Sequence, residues 1–325
     1  GVVHMPIQGP HAGVFSVECD AMIACEELGL KYEDISIDYD PDARFVSISG
    51  GSDGLASTGW VMRRCARALK KEILEYVIAQ ADQPAGARRG GMMGGMMGGG
   101  ARGGGMMGGG ARSGGMMGGR GGGMPSVDFK GKKPEDLDIV DGVIVLKSDP
   151  SAGGTPVRSI TQNLFATFSG HAPAPVWPSR YDLINTLYCE VAVDEETGEV
   201  EILKYGAAVD AGKVIRPTSL ESQLDQVAFF SQGCQLLEDY FYDPDTGVKL
   251  NMNYIEYKKP AILDVPKLIV ELPETRAGNG VYGANGISHS MANTHLIICA
   301  IYNAINKWVD PPATPDKVLK ALGKA

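Results

Sequence analysis

Val281–Ser290 reads VYGANGISHS and is the most informative stretch of ten residues in this chain. It stands directly before MANTHLIICAIYNAINKW at 291–308, a run whose apolar residues have helical spacing. On its own, the stretch is typical of a glycine-containing loop that ends in a polar helix cap, with His289 between Ser288 and Ser290.

Length and charge narrow the class of protein. A chain of 325 residues forms one large or two medium domains. Its net charge of −9 argues against nucleic acid as the main partner, because phosphate binding requires a basic surface. There is no long apolar run and no signal-peptide pattern, so we expect a cytoplasmic protein without a membrane span. Because the chain begins at Gly1, we expect a start that is processed, trimmed or the second piece of something longer.

Six cysteines are scattered singly along the chain. None forms a C-x-x-C pair, which argues against an iron–sulfur or zinc site within this chain. Single cysteines in a chain of this length indicate reduced thiols, in keeping with a cytoplasmic setting.

Hydrophobic periodicity predicts an α+β architecture in which mixed sheets pack against helices. Alternating apolar residues predict two β-hairpins, and 3.6-residue periodicity predicts several helices. The predicted elements are a first helix that stops at Gly29, a helix from Trp60 to about Ala81, hairpins turning at Asp141–Gly142 and Thr197–Gly198, a helix from about Ser219 to Tyr240, an extended segment over 254–272, and a terminal helix.

The composition changes abruptly between residues 85 and 124. Two ten-residue units, GGARGGGMMG and GGARSGGMMG, repeat in tandem, and nine of the fourteen methionines and five arginines lie here without any Asp or Glu. Glycine loses much conformational entropy when it is ordered, which favours a low-complexity insertion in a surface loop. The methionine pairs leave two alternatives open, namely binding of soft metal ions or an apolar contact with another protein.

Seven blocks resemble the second half of the molybdenum-binding subunit of the xanthine dehydrogenase and aldehyde oxidoreductase family, the molybdenum hydroxylases, and they occur in that family's order. The blocks are CEELGLKYEDISI, PEDLDIVDGVIVL, EVAVDEETGEVEILKYGAAVDAGKVIRP, residues 223–243, DYFYDPDTGVKLNMNYIEYKKPAILDVP, VYGANGIS and DPPATPDKVLKAL. The resemblance implies a split arrangement, similar to nicotinate dehydrogenase, in which two polypeptides share one molybdopterin site.

The resemblance also implies a domain organisation, that of the second molybdopterin-binding domain of the molybdenum hydroxylase fold. Residues 1–150 would form a first molybdopterin-binding subdomain, interrupted by the Gly/Met/Arg-rich insertion at 85–124. Residues 151–325 would form a second molybdopterin-binding subdomain, which carries the active-site loop 281–290.

Several residues match family positions that bind the cofactor. A Gly/Ser loop before the second helix matches one that contacts the cofactor phosphates, and such a loop supplies backbone N–H donors. Gln223 matches an amide that hydrogen-bonds the pterin, and Gln8 matches a glutamine near the molybdenum. The loop residues are Gly50, Gly51, Ser52 and Asp53.

The active-site loop departs from the family at one residue. The family's loop reads roughly G-A-K-G-V-G-E-P-P, and its Glu is the catalytic base. Here Gly286, Ile287 and Ser288 would contact the cofactor, and His289 stands where the Glu is expected. A neutral imidazole can accept a proton, but it brings no negative charge to the site. The resemblance assigns no metal ligand to this chain.

The function implied is that of a molybdopterin-binding subunit in a multi-subunit molybdenum oxidoreductase acting on an aldehyde, an N-heterocycle or a related small organic molecule. The expected cofactor is molybdenum–molybdopterin, as a dinucleotide, shared with an N-terminal molybdopterin subunit. Electrons would pass to 2Fe-2S and FAD groups on partner subunits. Two alternatives stay open. His289 could mark non-hydroxylating chemistry such as alcohol dehydrogenation, reduction or hydration, or the chain could be a non-catalytic assembly subunit with an interaction arm.

Overall fold

The computed structural model describes residues 2–7, 15–40, 54–83, 127–161, 167–171, 184–275, 278–287 and 295–325. No helix in these ranges combines the length and apolar character needed to cross a bilayer. The helices are α1 (Ser16–Leu28), α2 (Gly54–Asp82), α3 (Val157–Thr161), α4 (Pro217–Gln232), α5 (Leu296–Ile305) and α6 (Pro315–Leu322). The strands are β1 (Val3–Ile7), β2 (Ile35–Tyr39), β3 (Leu137–Val140), β4 (Val143–Leu146), β5 (Thr155–Pro156), β6 (Ile184–Val193), β7 (Val200–Asp210) and β8 (Leu268–Glu271).

The chain divides into two compact units. The first comprises residues 1–4, 24–36 and 64–172, and the second comprises residues 5–23, 37–63 and 173–325. The assignment of residues 1–150 and 151–325 to two molybdopterin-binding subdomains stays a prediction. The Gly/Met/Arg-rich tract at 85–124 lies outside the described residues.

The core of the first unit forms between α2 and the three-stranded sheet β3-β4-β5. Four α2 residues at helical spacing are buried and give the helix one apolar face, which packs on buried residues of β3 and β4. Burial of these side chains from water is what holds the helix on the sheet. The residues are Ile73, Leu74, Val77 and Ile78 of α2, and Leu137, Ile139 and Ile144 of the strands.

The hairpin β3–β4 has the turn that its sequence predicts. Antiparallel pairing runs from Leu137↔Leu146 to Val140↔Val143, so that two residues, Asp141 and Gly142, make the turn. Both have positive φ, 49° and 77°, which is the backbone of a type I′ turn and suits an Asp-Gly pair. The prediction of this hairpin is confirmed.

The second unit is built on the mixed sheet β6-β7-β8. β6 and β7 are antiparallel, ending at Val193↔Val200, and β8 runs parallel to β7 from Tyr205↔Leu268 to Ala208↔Glu271. Every second residue from Tyr205 in β7 to Ala211, just after the strand, is buried, as the two-residue period of a strand requires. Tyr205 packs in a cluster with α5 and α6, whereas the next three buried positions pack in a cluster with α4. Those three positions are Ala207, Val209 and Ala211.

A buried glutamine joins α4 to α5. After Gln232 the helix widens into one π-helical turn, Gly233–Leu237, which contains Gln235. The Gln235 Oε1 accepts a hydrogen bond from the Ile298 N–H at 2.8 Å, and its Nε2 donates to the Ser231 carbonyl at 3.2 Å. The Ile298 N–H belongs to the first turn of α5, where helices leave N–H groups unpaired. Gln235 therefore caps a neighbouring helix from inside the core.

Three predicted boundaries differ from the structure. α2 begins at Gly54, about two turns before the predicted Trp60, and α4 ends at Gln232 rather than near Tyr240. The extended segment predicted over 254–272 is wrong except for β8, because turns interrupt it. One turn is closed by Asp264, whose Oδ2 accepts the Ala261 N–H at 2.6 Å.

Replacing Gln235 with Met preserves side-chain volume but leaves the buried Ile298 N–H without its acceptor. We expect a loss of about 1–3 kcal/mol in the free energy of unfolding, the typical cost of an unsatisfied buried donor. Urea denaturation followed by circular dichroism measures it. Gln226→Met, on the half-buried side of the same helix, is the matched control and should change stability by less than about 0.5 kcal/mol. Equal losses in the two variants would contradict the capping role.

Candidate functional site

The loop 278–287 is bound to the chain segment that follows β7. Gly212 and Ala284 form an isolated antiparallel bridge. The Lys213 N–H donates to the Gly283 carbonyl at 3.0 Å, and the Asn285 N–H donates to the Ala211 carbonyl at 2.8 Å. A Cβ on Gly212 would lie 1.9 Å from the Gly283 oxygen, and Gly212 has a φ of +66°. Glycine at 212 is therefore required both by the backbone conformation and by the close approach of the loop.

The loop also folds on itself. The Gly280 N–H donates to the Ala284 carbonyl at 2.8 Å, and the Gly278 N–H donates to the Gly283 carbonyl at 3.1 Å. The Asn285 Oδ1 accepts the Asn279 N–H at 3.1 Å. Most of the backbone polar groups at this turn are thus engaged within the loop or with the β7 extension, which fixes its shape.

Apolar side chains anchor the loop at both ends. Val281 is fully buried and lies against Gly59 of α2, where a Cβ would approach the Val281 Cγ1 to 2.7 Å. At the other end Ile287 is buried in the cluster that contains Val209 of β7 and Leu224 of α4. The position of residue 287, two residues before His289, is therefore set by the core.

Aromatic and cationic side chains of α2 cover the start of the loop. The Trp60 Nε1–H donates to the Asn279 carbonyl at 2.9 Å. The Arg63 guanidinium lies over both the Trp60 ring, at 5.4 Å, and the Tyr282 ring, at 4.8 Å. Such contacts between a cation and aromatic faces each contribute about 0.5–1 kcal/mol at exposed positions. They hold Tyr282 although its φ of 57° is rare for a residue with a side chain.

Two polar side chains of α4, one half-buried and one buried, lie on the helix that packs against this anchor. Gln223 is half-buried and immediately precedes Leu224, which packs in one cluster with Ile287. Ser219 lies one turn earlier, four positions from Gln223, so the two side chains project from the same side of the helix. Ser219 is only 6% exposed, and no described residue hydrogen-bonds to its Oγ. A buried hydroxyl without a partner is uncommon.

The buried carboxyl of Asp20 contacts Thr58 near the start of α2. The Thr58 Oγ1 lies 3.0 Å from the Asp20 Oδ1 and 3.0 Å from the Gly54 carbonyl oxygen. Burial raises the pKa of Asp20 to about 8, so the carboxyl is largely protonated at neutral pH. When Asp20 is neutral, its carboxyl O–H donates to the Thr58 Oγ1, and the Thr58 hydroxyl donates to the Gly54 carbonyl oxygen. Each of the two hydrogen bonds then has its own proton.

The structure describes only part of the site predicted from sequence. Gly286 and Ile287 lie in the anchored loop, and Gln223 lies on α4. The described neighbour His295 is exposed at the start of α5. The predicted site residues outside the described residues are Gln8, Gly50, Gly51, Ser52, Asp53, Ser288 and His289.

Four residues that are part of this region were not predicted from the sequence. Trp60 and Arg63 appeared as ordinary residues of an amphipathic helix, and Ser219 as a helix-start residue. Asp20 is one of four acidic residues in α1, and nothing in the sequence distinguished it as the buried one. Within the described residues no group of three or more His, Cys, Asp or Glu side chains is arranged to hold a metal ion.

Comparison with known proteins finds sequence similarity over part of the chain. Residues 129–266 match the family model described as molybdopterin cofactor-binding domain. The molybdenum-binding subunit PaoC of aldehyde oxidoreductase from Escherichia coli O157:H7 is 28% identical over 216 residues, covering 59% of this chain and 26% of that protein. The chain is therefore similar in sequence to molybdopterin-binding subunits of molybdenum oxidoreductases.

Two solved structures of oxidoreductases show the same fold. Quinoline 2-oxidoreductase from Pseudomonas putida 86 superimposes on 97% of this chain with a TM-score of 0.68 and 17% identity, and 36% of its own chain is covered. Reconstituted CO dehydrogenase from Oligotropha carboxidovorans covers 98% of this chain with a TM-score of 0.70 and 16% identity, which is 35% of that chain. The predicted α+β architecture is confirmed. The chain spans about a quarter of the length of the first curated relative it matches and about a third of these structures.

The described residues fit the cofactor that the family implies. A molybdopterin presents ring N–H and carbonyl groups, together with phosphate oxygens, all of which need hydrogen-bond partners. The half-buried Gln223 amide can both donate and accept. Gly286, in the anchored loop, leaves backbone open to close approach by a ligand.

Replacing Gly212 with Ala should displace the loop, because the new Cβ would overlap the Gly283 oxygen. We expect a loss of more than about 2 kcal/mol in the free energy of unfolding, beyond the roughly 1 kcal/mol cost of positive φ alone. Gly247→Ala is the matched control, since Gly247 has a φ of +68° and a Cβ added there would meet nothing within 4 Å. If both variants unfold at the same urea concentration, the close approach at Gly212 does not constrain the loop.

The protonated Asp20 makes stability depend on pH. Its folded pKa of about 8 lies above the unfolded value of about 3.9, so the stabilising contribution is complete below about pH 4 and is lost as pH rises toward 8. The slope is at most about 1.4 kcal/mol per pH unit. In Asp20→Asn, which mimics the neutral acid, thermal denaturation between pH 5 and 8 should show a flatter profile. Asp245→Asn, at an exposed position, should leave the profile as it is in the unmodified chain.

Proposed function

We propose that this chain is a molybdopterin-binding subunit of a multi-subunit molybdenum oxidoreductase that oxidises an aldehyde, an N-heterocycle or a related small organic molecule. The observation that carries the proposal is the match of residues 129–266 to a molybdopterin cofactor-binding domain. Relatives named as aldehyde oxidoreductase and xanthine dehydrogenase subunits support the substrate class. Such names describe complexes, which supports partner subunits.

The partners proposed are an N-terminal molybdopterin subunit, an iron–sulfur subunit with 2Fe-2S clusters and an FAD subunit. Relatives named as a subunit gamma and as a large subunit support an assembly of several polypeptides. A cytoplasmic location is proposed with them. The six cysteines are all free thiols in the structure, which agrees with a reducing compartment.

The cofactor proposed is molybdenum–molybdopterin in a dinucleotide form. When bound, it supplies a centre that takes two electrons from the substrate. Gln223 would hydrogen-bond the pterin, and the loop 286–288 would approach it through backbone. Gly50, Gly51, Ser52 and Asp53 would hold phosphate oxygens, with Gln8 placed near the metal. Gln223 receives the strongest support, because its helix packs in one cluster with the anchored end of the active-site loop.

His289 would act as the base that removes a proton during turnover. It follows Ile287, which the core holds in place, by two residues. A neutral imidazole accepts the proton and becomes a cation, whereas a carboxylate would become neutral. The site would then favour an anionic substrate or an intermediate that gains negative charge beside the imidazolium. This difference in charge between the protonated histidine and a protonated carboxylate supports a second candidate class of reaction.

The second candidate is a reaction on the same cofactor without hydroxylation, such as alcohol dehydrogenation, reduction or hydration. The specific observation that favours it is His289 at the position where the family's loop carries a Glu base. Turnover in ¹⁸O-labelled water separates the candidates, because hydroxylation places solvent oxygen in the product. Alcohol dehydrogenation and reduction do not, and hydration adds water without net electron transfer to an acceptor dye.

The test of the proposed function uses the purified complex with its partner subunits. We expect molybdenum and pterin to co-purify in equal amounts, and His289→Ala to lower kcat by at least about 100-fold while metal and pterin contents stay unchanged. His295→Ala, at the exposed start of α5, is the matched control and should retain kcat within about threefold. A complex without pterin would overturn the proposal. Full activity in His289→Ala would remove the histidine from the reaction.

A further inference from the structure

The loop 278–287 begins against one side of α2. Four consecutive loop residues, 279–282, each lie close to a different α2 residue. A Cβ added to Gly280 would lie 3.5 Å from the Ala56 Cα. The α2 residues occupy positions i, i+3, i+4 and i+7, so they share one side of the helix. The first turns of α2 are therefore the support on which the loop begins. The four α2 residues are Ala56, Gly59, Trp60 and Arg63.

The chain reverses direction at Tyr282 and Gly283. Both residues have positive φ, 57° and 82°, and the Ala284 N–H donates to the Val281 carbonyl at 3.0 Å. Positive φ at both central residues is typical of a type I′ turn, in which glycine, asparagine and aspartate are preferred. Tyrosine at the first central position is strained, because the left-handed region crowds its Cβ against the backbone. Such strain persists only where the surroundings impose it, and it often marks a functional position.

The contact with Arg63 accounts for a tyrosine at this strained position. The Arg63 guanidinium lies 4.8 Å from the centroid of the Tyr282 ring and 5.4 Å from that of the Trp60 ring. Trp60 is itself bound to the loop, because its Nε1–H donates to the Asn279 carbonyl at 2.9 Å. Asparagine would suit the turn better, but it has no aromatic face to attract a cation. The side chain at position 282 is therefore matched to α2 rather than to the turn.

We propose that Arg63 is a positioning residue for the active-site loop and that it acts through the Tyr282 ring. This inference rests on the proposed function, in which residues 286–288 approach the pterin and His289 accepts a proton. The effect of Arg63 on turnover passes through the backbone of the loop and not through contact with substrate or cofactor.

The turn lies between two supports of the loop. α2 contacts residues 279–282, and the β7 extension pairs with residues 283–285. By holding residue 282, Arg63 sets the direction in which the chain leaves the first support and reaches the second. A displacement of about 1 Å at a reacting group can lower a rate about 100-fold, so this direction determines how fast the site turns over.

Tyr282→Asn separates a positioning role from a stabilising one. We expect the urea midpoint of this variant to stay the same or rise, because asparagine adopts positive φ more readily than tyrosine. In the purified complex with its partner subunits, kcat should fall at least about tenfold while molybdenum and pterin contents stay unchanged. A lower urea midpoint with unchanged kcat would overturn the proposal, because the ring would then only stabilise the fold.

Substitutions of Arg63 test whether the arginine acts through the ring. Arg63→Gln should lower kcat at least about tenfold, whereas Arg63→Lys keeps a cation near the rings and should restore most of it. Arg64→Gln, at the adjacent exposed position, is the matched control and should retain kcat within about threefold. Arg63→Gln combined with Tyr282→Asn should lower kcat no further than either change alone, because both remove the same contact. Losses that multiply in the double variant would show that Arg63 does not act through Tyr282.

Amide hydrogen exchange of the purified complex measures the loop independently of activity. The Ala284 and Asn285 N–H groups are hydrogen-bonded to the Val281 and Ala211 carbonyls, which slows their exchange. Mass spectrometry of peptides that cover residues 278–287 should show exchange at least about tenfold faster in Arg63→Gln than in Arg64→Gln. Equal exchange in the two variants would refute the positioning role, whether or not pterin is present. Faster exchange in a complex without pterin would instead refute the proposed function and leave the support of the loop by Arg63 standing.

Discussion

Main-chain pairing between residues 211–213 and 283–285 is the contact on which the site depends. It joins the end of the central strand β7 to the loop, and it leaves no space for a side chain at Gly212. The buried face of β7 continues through Ala211. The hydrophobic cluster on this face also contains Leu224 of α4 and Ile287 of the loop. A single sheet therefore supports both the helix that presents Gln223 and the loop that leads to His289.

Local sequence signals predicted much of the fold. The turn residues at 141–142 and 197–198 define both hairpins, since the backbone of a tight turn is set by its own residues. The first helix ends at Leu28, directly before Gly29, as its sequence predicts. Ordered family motifs pointed to the molybdenum hydroxylase fold and to Gln223. Each of these signals is carried by residues close together in the chain.

Contacts between distant residues were beyond sequence reasoning. Trp60 and Asn279 are 219 positions apart, and no local pattern pairs them. α2 begins six residues earlier than predicted, because packing of Gly59 against Val281 outweighs the poor helix propensity of GLASTG. The apolar residues of 254–272 resemble a strand in sequence, yet many are exposed rather than buried. Sequence shows that a side chain is apolar but not whether the core or a partner covers it.

The π-helical turn after α4 has a consequence for how the site can evolve. Leu224 packs in one cluster with Ile287, which precedes the segment containing His289. Gln235 accepts a hydrogen bond from the first turn of α5, the helix that follows this segment. These two supports are eleven positions apart on one nearly continuous helix, a span of about 16 Å. The described residues on both sides of segment 288–294 are thus attached to the same helix. Substitutions between them can change the side chains of the segment without moving either attachment point, so its sequence can vary while the scaffold stays constant.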